Sequence, residues 1–341
     1  MTPPPDPPVL ATGRLGISHT KDRTMCKILT MEETAALLKG ARKLVLVSHI
    51  SPDGDTLGST LALGRALQSL GKEVILNVDD DIPDVFRFLP GIDAYRRFAA
   101  DEQVPADLLV VMDASSADRV GNALQVVRTG TVLNIDHHKT NTRFADALYL
   151  DDKAAATAEI TFDLVRALGV SLDKETATCI YEGLYADTGS FKYSNTTAHT
   201  LRTAADLLAY GVDPGYISDS MEVKDRPQIE LLGKVLETLT FRKDGRIAYV
   251  EIPLSLYDHN VNTDSFVSYP RYIKGVEVAL LFKEVEAGLT RVSFRSQTAD
   301  VAKIALGFQG GGHQKAAGCS IHAPLAEAKK IVLNVVEAAL A

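Results

Sequence analysis

Short apolar runs alternate with segments of helical periodicity over the first 210 residues of the chain. The runs 44–47, 74–78, 108–112 and 132–135 each hold four or five mostly apolar residues. Between the first two, residues 56–70 repeat leucine at helical spacing. Because buried strands that alternate with helices build βαβ units, we expect an α/β domain with a doubly wound, mostly parallel sheet.

Changes in composition mark the limits of that domain. Five prolines crowd the first eight residues, which predicts a disordered tail. Thr30 and Glu33 then have the spacing of a helix capping box, where ordered structure should begin. The predicted segments are the tail over 1–24, a first domain over 25–210, a linker over 211–229 and a smaller α/β domain over 230–341. We expect a cleft between the two domains.

Charge and cysteine content narrow the classes of function. The formal net charge of −8, from 36 basic and 44 acidic residues, disfavours a surface that grips long nucleic acids. The three cysteines form no CxxC pair, so we expect free thiols and a cytoplasmic location. No apolar run approaches the roughly 20 residues that a membrane-spanning helix needs, so no membrane contact is expected.

Acidic and histidine residues stand where the predicted strands and helices end. In an open α/β sheet, the carboxyl ends of parallel strands meet at one edge, where ligands bind. Each residue taken singly has an ordinary alternative role, such as an aspartate that caps a helix. The set comprises five aspartates and three histidines: His49, Asp53, Asp55, Asp113, Asp136, His137, His138 and Asp187.

Together these residues favour a centre for two divalent metal ions. Mixed carboxylate and imidazole ligands suit an ion such as Mn²⁺. So many carboxylates would repel one another strongly without cations between them. A structural zinc site is disfavoured, because no cysteine lies near these motifs and the candidate ligands outnumber four.

These motifs resemble those of the DHH phosphoesterases, in particular the DHH–DHHA1 proteins of the nanoRNase or oligoribonuclease type. The resemblance covers nearly all of the chain after residue 28. One departure is Gln309, where many family members have another glycine. The matching motifs are His49-Ile50-Ser51-Pro52-Asp53-Gly54-Asp55, Asp113, Asp136-His137-His138, Ala186-Asp187-Thr188-Gly189, Arg295-Ser296 with Asp300-Val301, Gly310-Gly311-Gly312-His313, and Ala316-Ala317-Gly318.

The resemblance implies two bound metal ions, with Mn²⁺ favoured over Mg²⁺ or Co²⁺. Asp113 would bridge the pair and act in catalysis with the three residues of the motif at 136–138. Asp136 would orient an imidazole from behind, and His138 would face the substrate phosphate. The implied ligands are His49, Asp53 and Asp113 for one ion, and Asp55, Asp113, His137 and Asp187 for the other.

The resemblance places substrate binding in the second domain. The sequence predicts a turn at Gly310, Gly311 and Gly312, and the resemblance implies that its backbone N–H groups cradle an anion, with His313 as a further donor. Arg295 and its neighbour Ser296 would bind phosphate, which a guanidinium can hold in bidentate fashion. Arg271 is a weaker candidate for a contact with phosphate or base.

These assignments predict a two-metal phosphohydrolase. The implied substrates are oligoribonucleotides of about two to five nucleotides, cut to mononucleotides by metal-assisted hydrolysis. The enzyme would also remove the 3′-phosphate of 3′-phosphoadenosine 5′-phosphate. Relatives of this type imply a homodimer.

Other functions compete with this one. Hydrolysis of a linear dinucleotide such as pGpG stays open. A RecJ-like exonuclease on single-stranded DNA is disfavoured by the acidic chain and the lack of an obvious further nucleic-acid-binding domain. A manganese pyrophosphatase is disfavoured by the Gly-Gly-Gly-His motif. A nucleotide-binding module without catalysis is disfavoured because the sequence has an acid or a histidine at every expected metal-binding position.

Overall fold

The computed structural model describes residues 26–340 of the chain. The chain divides into two compact units between Glu222 and Val223, inside the segment predicted as a linker. The predicted tail over residues 1–24 lies outside the described residues. Within residues 26–340, no helix has both the length and the apolar character needed to cross a bilayer.

A parallel sheet of seven strands forms the centre of the described first unit. Its strands, and a separate short pair, are β1 (Lys27–Ile28), β2 (Lys43–Ser48), β3 (Glu73–Asn77), β4 (Tyr95–Arg96), β5 (Val104–Pro105), β6 (Leu108–Met112), β7 (Val127–Arg128), β8 (Val132–Asp136) and β9 (Ala147–Leu150). The sheet order is β1-β9-β8-β6-β2-β3-β4, and β5 pairs with β7. The predicted parallel sheet is therefore confirmed.

The described first unit has seven α-helices, which follow β1, β2, β6 and β9. They are α1 (Met31–Gly40), α2 (Gly54–Ser69), α3 (Ala123–Val126), α4 (Thr157–Ala167), α5 (Lys174–Asp187), α6 (Ala198–Leu208) and α7 (Pro214–Glu222). The start of α1 confirms the predicted capping box. The Thr30 hydroxyl accepts the backbone N–H of Glu33 at 3.2 Å, and the Glu33 carboxylate accepts that of Thr30 at 2.9 Å.

Strand β2 is apolar on both faces because both faces are covered. Leu44 and Leu46 are fully buried in the core that the long helices form with one face of the sheet. Val45 and Val47 are buried in a smaller core on the other face, closed by the short α3 and by loops. A strand buried on both sides needs no polar alternation, as its sequence shows.

The described second unit is built on a mixed sheet of six strands. The strands are β10 (Thr240–Arg242), β11 (Ile247–Ile252), β12 (Val278–Glu286), β13 (Leu289–Ser296), β14 (Gly311–His313) and β15 (Ala316–Ile321). Their order is β10-β11-β12-β13-β15-β14, and only the pair β11 and β12 is parallel within these residues. The helices are α8 (Arg226–Leu236), α9 (Ser268–Arg271), α10 (Val301–Leu306) and α11 (Leu325–Ala339).

The glycine-rich segment of this unit runs into an edge strand, so its interpretation as a turn is wrong. Gly311 and Gly312 belong to β14 and pair with β15. The backbone of Gly312 has a φ of 138°, and a Cβ there would lie 2.5 Å from the carbonyl oxygen of Ala316. The N–H of Gly310 donates to the carbonyl oxygen of Ala305 at 2.8 Å. Glycine is therefore required for the close approach of two strands, a need that looks like a turn in the sequence.

Candidate metal centre

Three neighbouring strands of the first sheet lead directly to the predicted metal-binding residues. Strands β8, β6 and β2 lie side by side, and their carboxyl ends reach Asp136, Asp113 and His49. Asp53 precedes α2, and Asp187 is the last residue of α5. Because the strands are parallel, residues far apart in the sequence meet at one edge of the sheet.

Seven of the eight predicted residues contribute ligand atoms to three groups. Within each group, these atoms lie within 4.8 Å of one another. The groups are His49, Asp53 and Asp113; Asp55, His137 and Asp187; and Asp113, His137 and His138. The first two groups correspond to the two ligand sets that the resemblance implies, with Asp113 available to both.

His49, Asp53 and Asp113 form the first group. Nε2 of His49 lies 3.7 Å from Oδ2 of Asp53 and 3.5 Å from Oδ2 of Asp113. The other oxygen of Asp53 accepts the N–H of Thr56 at 3.1 Å and so caps α2. The capping role and the predicted ligand role are compatible, because each uses a different oxygen.

Asp113 stands between the first two groups. Its Oδ2 faces His49, whereas its Oδ1 lies 3.6 Å from Nε2 of His137 and accepts the Thr157 hydroxyl at 2.8 Å. The backbone of Asp113 has a φ of 59°, a left-handed conformation that is costly for a residue other than glycine. The two oxygens of one carboxylate thus face two groups, which is the geometry that the predicted bridging role requires.

Asp55, His137 and Asp187 form the second group. Nε2 of His137 lies 3.3 Å from Oδ2 of Asp187 and 3.9 Å from Oδ2 of Asp55. Asp55 is fully buried, and its two oxygens accept the backbone N–H groups of Thr157 at 2.6 Å and Ala158 at 2.8 Å. The carboxylate is therefore held in place by the first turn of α4.

Asp136 contacts the imidazole of His138 and the backbone of His137. It is fully buried, and its Oδ1 accepts the backbone N–H of His137 at 2.9 Å. The same oxygen lies 2.7 Å from Nδ1 of His138, and Oδ2 accepts the side-chain amide of Asn141 at 2.6 Å. These bonds fix the orientation of His138, whose contact with a substrate phosphate stays a prediction.

The carboxyl groups of the centre are buried close together, which suits cations. Burial, with the charges of Asp113 and Asp187, raises the pKa of Asp55 well above its ordinary value. Burial raises the pKa of Asp187 to about 7, an effect that His137 opposes and Asp113 reinforces. Divalent cations would relieve this repulsion, so the residues present fit a pair of metal ions by donor type and by charge.

Two imidazoles of the centre are held by neighbouring carboxylates. Burial alone would lower the pKa of His49, but its hydrogen bonds with Asp113 and Asp53 outweigh burial and raise the pKa to about 10. Burial is likewise outweighed at His138, where the hydrogen bond with Asp136 and the charge of Asp113 raise the pKa to about 9. The carboxylates therefore favour positive charge at both rings.

Sequence reasoning missed four side chains that complete the centre: Arg119, Asn141, Thr157 and Asn195. The amide of Asn195 donates to the carbonyl oxygens of Ala155 and Asp187, both at 3.0 Å, and so joins the segment before α4 to the end of α5. Each of the four is a polar residue in a loop or at the end of a helix, which is an ordinary place for it. No local pattern in the sequence distinguishes them.

Apart from His138, the predicted substrate-binding residues lie in the second unit. Arg295 is half-buried on β13, and Arg271 is half-buried at the end of α9. Ser296 is fully buried, and its hydroxyl accepts the N–H of Thr298 at 3.2 Å. Residues 310–313 run into the edge strand β14, and the side chain of His313 is outside the described side chains. The contacts of these residues with substrate stay predictions.

A cavity of about 540 Å³ opens on the sheet of the second unit beside Gly310. Polar side chains and a glycine contribute to its lining, among them Arg291, Ser293, Gly318, Ser320 and His322. It therefore offers space and hydrogen-bonding groups next to the predicted substrate-binding segment.

Two family domains match the chain. The DHH family N-terminal domain matches residues 43–184, and the DHHA1 domain matches residues 244–341. The bifunctional oligoribonuclease and PAP phosphatase NrnA of Thermus thermophilus is 37% identical, over 85% of this chain and 88% of its own length. This chain belongs to the DHH family. The predicted family and the fold class are thereby confirmed.

Further similarities extend across both domains of this DHH-family protein. The NrnA of Bacillus subtilis, which carries the same descriptive name, is 27% identical over 82% of this chain and 89% of its own length. Among solved structures, an exopolyphosphatase-related protein from Bacteroides fragilis has a TM-score of 0.84 at 27% identity. That match covers 90% of this chain and 95% of the solved one.

Proposed function

We propose that this DHH-family protein is a phosphohydrolase that cuts short oligoribonucleotides to mononucleotides and removes the 3′-phosphate of 3′-phosphoadenosine 5′-phosphate. The observation that carries the proposal is the position of Asp113, whose two oxygens face two groups of metal-binding side chains. The relatives from Thermus thermophilus and Bacillus subtilis, named as oligoribonuclease and PAP phosphatase, support the choice of substrates.

We assign one divalent ion to the first ligand group and a second to Asp55, Asp113, His137 and Asp187, with Mn²⁺ preferred. Two such ions, when bound, supply Lewis acidity and the means to activate a water. Asp136 holds the ring of His138 through the 2.7 Å contact, so that a protonated imidazole can stabilise charge on a phosphoryl oxygen. Asn141 and Thr157 hold Asp136 and Asp113 in their orientations.

We assign catalysis to residues 25–210, substrate holding to residues 230–341 and a linker to residues 211–229. In the second part, the candidate substrate contacts are Arg271, Arg295, Ser296, Gly310, Gly311, Gly312 and His313. The free thiols of Cys26, Cys179 and Cys319 support a cytoplasmic location. We expect the intact protein to be a homodimer. Sedimentation equilibrium measures the mass of the assembly in solution.

A panel assay tests the function. Purified protein with Mn²⁺ is given RNA dimers to pentamers, 3′-phosphoadenosine 5′-phosphate, linear pGpG, pyrophosphate and long single-stranded DNA, each also in the presence of EDTA. We expect fast turnover of the short RNAs and of the bisphosphate, and loss of both in EDTA. Fast turnover of pyrophosphate or long DNA, with slow turnover of short RNA, would contradict the proposal.

Linear pGpG tests the second hypothesis within the same panel. A protein that hydrolyses pGpG at least tenfold faster than other RNA dimers is a dinucleotide phosphodiesterase, and the broader substrate range would then be wrong. Similar rates for several dimers would favour the broader range.

A further inference from the structure

Arg119 places a positive charge against a predicted metal ligand. Its Nη2 lies 3.0 Å from Nδ1 of His49. Arg119 is half-buried at the end of a short 3₁₀ helix, Ala117–Arg119, which follows the end of β6. Its carbonyl oxygen accepts the N–H of Ile50 at 2.8 Å. The backbone of Arg119 is therefore tied to the loop that carries His49.

The guanidinium of Arg119 has donors to spare. A guanidinium carries five N–H donors. Within residues 26–340, its side-chain partner is the ring of His49, and it forms no ion pair with a carboxylate. Partly buried cations are usually paired with an anion, because removing a charge from water is costly. The remaining donors of Arg119 are therefore available to an anion that comes from outside the chain.

The contact between Arg119 and His49 competes with a second one. Nδ1 of His49 also lies 2.9 Å from the carbonyl oxygen of Ile50. A carbonyl oxygen only accepts and a guanidinium only donates, so Nδ1 can serve one of them at a time. When Nε2 gives its lone pair to a metal, the ring proton stays on Nδ1 and is donated to Ile50. Arg119 then has no acceptor on this ring and can donate to a ligand.

Charge balance indicates what the ligand is. The first two ligand groups together contain four carboxylates, Asp53, Asp55, Asp113 and Asp187, whose charge two divalent ions would neutralise. A phosphate ester brings further negative charge that the ions would leave unbalanced. Arg119 lies against the ring that faces Oδ2 of Asp113, whereas His138 lies 3.7 Å from Oδ1. His138 therefore faces Oδ1 of the shared carboxylate directly, whereas the imidazole of His49 lies between Arg119 and Oδ2.

We propose that Arg119 binds the phosphate group that is hydrolysed, with two of its N–H groups on the phosphoryl oxygens. A planar guanidinium suits a phosphate in this bidentate manner, and donors already in place stabilise charge that grows during the reaction. The proposal rests on the proposed phosphohydrolase function and adds to it a residue that touches the substrate.

The alternative is that Arg119 only positions His49. A measurement of Mn²⁺ affinity distinguishes this positioning role from a role in phosphate binding. We would compare Arg119→Gln and Arg119→Lys with wild type and with a control, Arg128→Gln. Arg128 bonds Gln103 and the carbonyl oxygen of Gln125, away from the ligand groups. Mn²⁺ affinity is measured by titration calorimetry on metal-free protein, and kcat and KM are measured on an RNA dimer.

If Arg119 binds phosphate, Arg119→Gln keeps wild-type Mn²⁺ affinity within about threefold but loses about 10²–10³-fold in kcat/KM. Arg119→Lys should recover at least about tenfold of that loss, because it keeps the charge without the bidentate geometry. Arg128→Gln should match wild type in both measurements. Circular dichroism melting checks that each variant folds.

Three outcomes would overturn the inference. A fall in Mn²⁺ affinity that parallels the fall in activity would make Arg119 a positioning residue. Wild-type kcat/KM in Arg119→Gln would exclude any role. Equal losses of kcat/KM in the Gln and Lys variants, at unchanged Mn²⁺ affinity, would show that the positive charge of Arg119 does not act on the phosphate. Wild-type protein that hydrolyses no panel substrate would instead sink the proposed function, and this inference with it.

Discussion

The two units of the chain hold their predicted functional residues in different ways. In the first unit, Asp55 and Asp136 are fully buried and every carboxylate oxygen in them has a fixed donor. In the second unit, Arg295 is half-buried, and Gly311 and Gly312 lie exposed in an edge strand. The first site is therefore organised before any ligand arrives, whereas the predicted substrate-binding residues of the second unit are more exposed.

This difference predicts that substitutions in the first unit act on metal binding and turnover. Substitutions in the second unit should act on substrate affinity. The following variants test that division, from the largest expected effect to the smallest.

Replacing the shared carboxylate should have the largest effect. Asp113→Ala removes the carboxylate whose two oxygens face His49 and His137, so both proposed ligand sets lose a member and we expect turnover of RNA dimers to fall by at least about 10³-fold. Calorimetric titration should also show loss of tight Mn²⁺ binding. Asp101→Ala, which changes an exposed acid outside the groups, is the control. Survival of Mn²⁺-dependent turnover in Asp113→Ala would show that Asp113 does not bridge two ions.

Removing a single support of that carboxylate should have a smaller effect. Thr157→Val deletes the hydroxyl that donates to Asp113 at 2.8 Å, and we expect a loss of about 10–100-fold in Mn²⁺ affinity or activity. Thr161→Val is a matched control, because its equally buried hydroxyl bonds the carbonyl oxygen of Thr157 within the same helix. Equal effects of the two variants would mean that Thr157 contributes only to the packing of α4.

In the second unit, Arg295→Gln should raise KM for RNA dimers by about 10-fold, since a charge-assisted hydrogen bond contributes about 1.5–3 kcal/mol. Mn²⁺ affinity and kcat should stay close to wild type. Arg291→Gln, four residues earlier on β13, shows whether any positive charge on the strand suffices. A fall in Mn²⁺ affinity in Arg295→Gln would break the division between the units.

Glu182 tests the effect of burial itself. It is fully buried in α5, and neither carboxylate oxygen has a hydrogen-bond partner within the described residues. Burial, with the charge of Asp53, raises its pKa to about 8 from an ordinary 4.5. The folded state therefore holds a proton that the unfolded state has released, and stability falls as pH rises between these values.

Glu182→Gln should remove that fall. We expect the Tm of the variant, relative to wild type, to increase by at least about 2–4 °C between about pH 5 and pH 8 in EDTA-treated protein. Differential scanning calorimetry measures it, with the exposed Glu237→Gln as control. An offset that does not change with pH would show that Glu182 titrates at its ordinary value.

The sequence predicted the sheet and the gathering of acids and histidines because both follow from local pattern and parallel topology. His49 and Asp113 each follow directly after a strand, and the two residues must meet because these strands are neighbours in one parallel sheet. The side chains that hold the predicted ligands in place, such as Thr157, were not predictable in this way. Thr157 is separated from Asp113 by 44 residues, and only the packing of α4 brings them together.

The second unit was predicted less well, because glycine satisfies several different backbone demands. The Gly-rich segment runs into strand β14. Its neighbour β15 lies so close that a side chain at Gly312 would clash with it. Gln309 stands where the family often has glycine and adopts a φ of 60°, in the left-handed region. The departure from the family pattern thus falls where glycine would be the less strained residue.

The N-cap of helix α4 is Ala156, whose side chain cannot accept a hydrogen bond, so the first two N–H groups of the helix, those of Thr157 and Ala158, bond the Asp55 carboxylate instead. The folding of this helix and the chemistry of the centre therefore share one carboxyl group. Loss of Asp55 would leave the first turn of this helix without its acceptors, in addition to removing a predicted metal ligand.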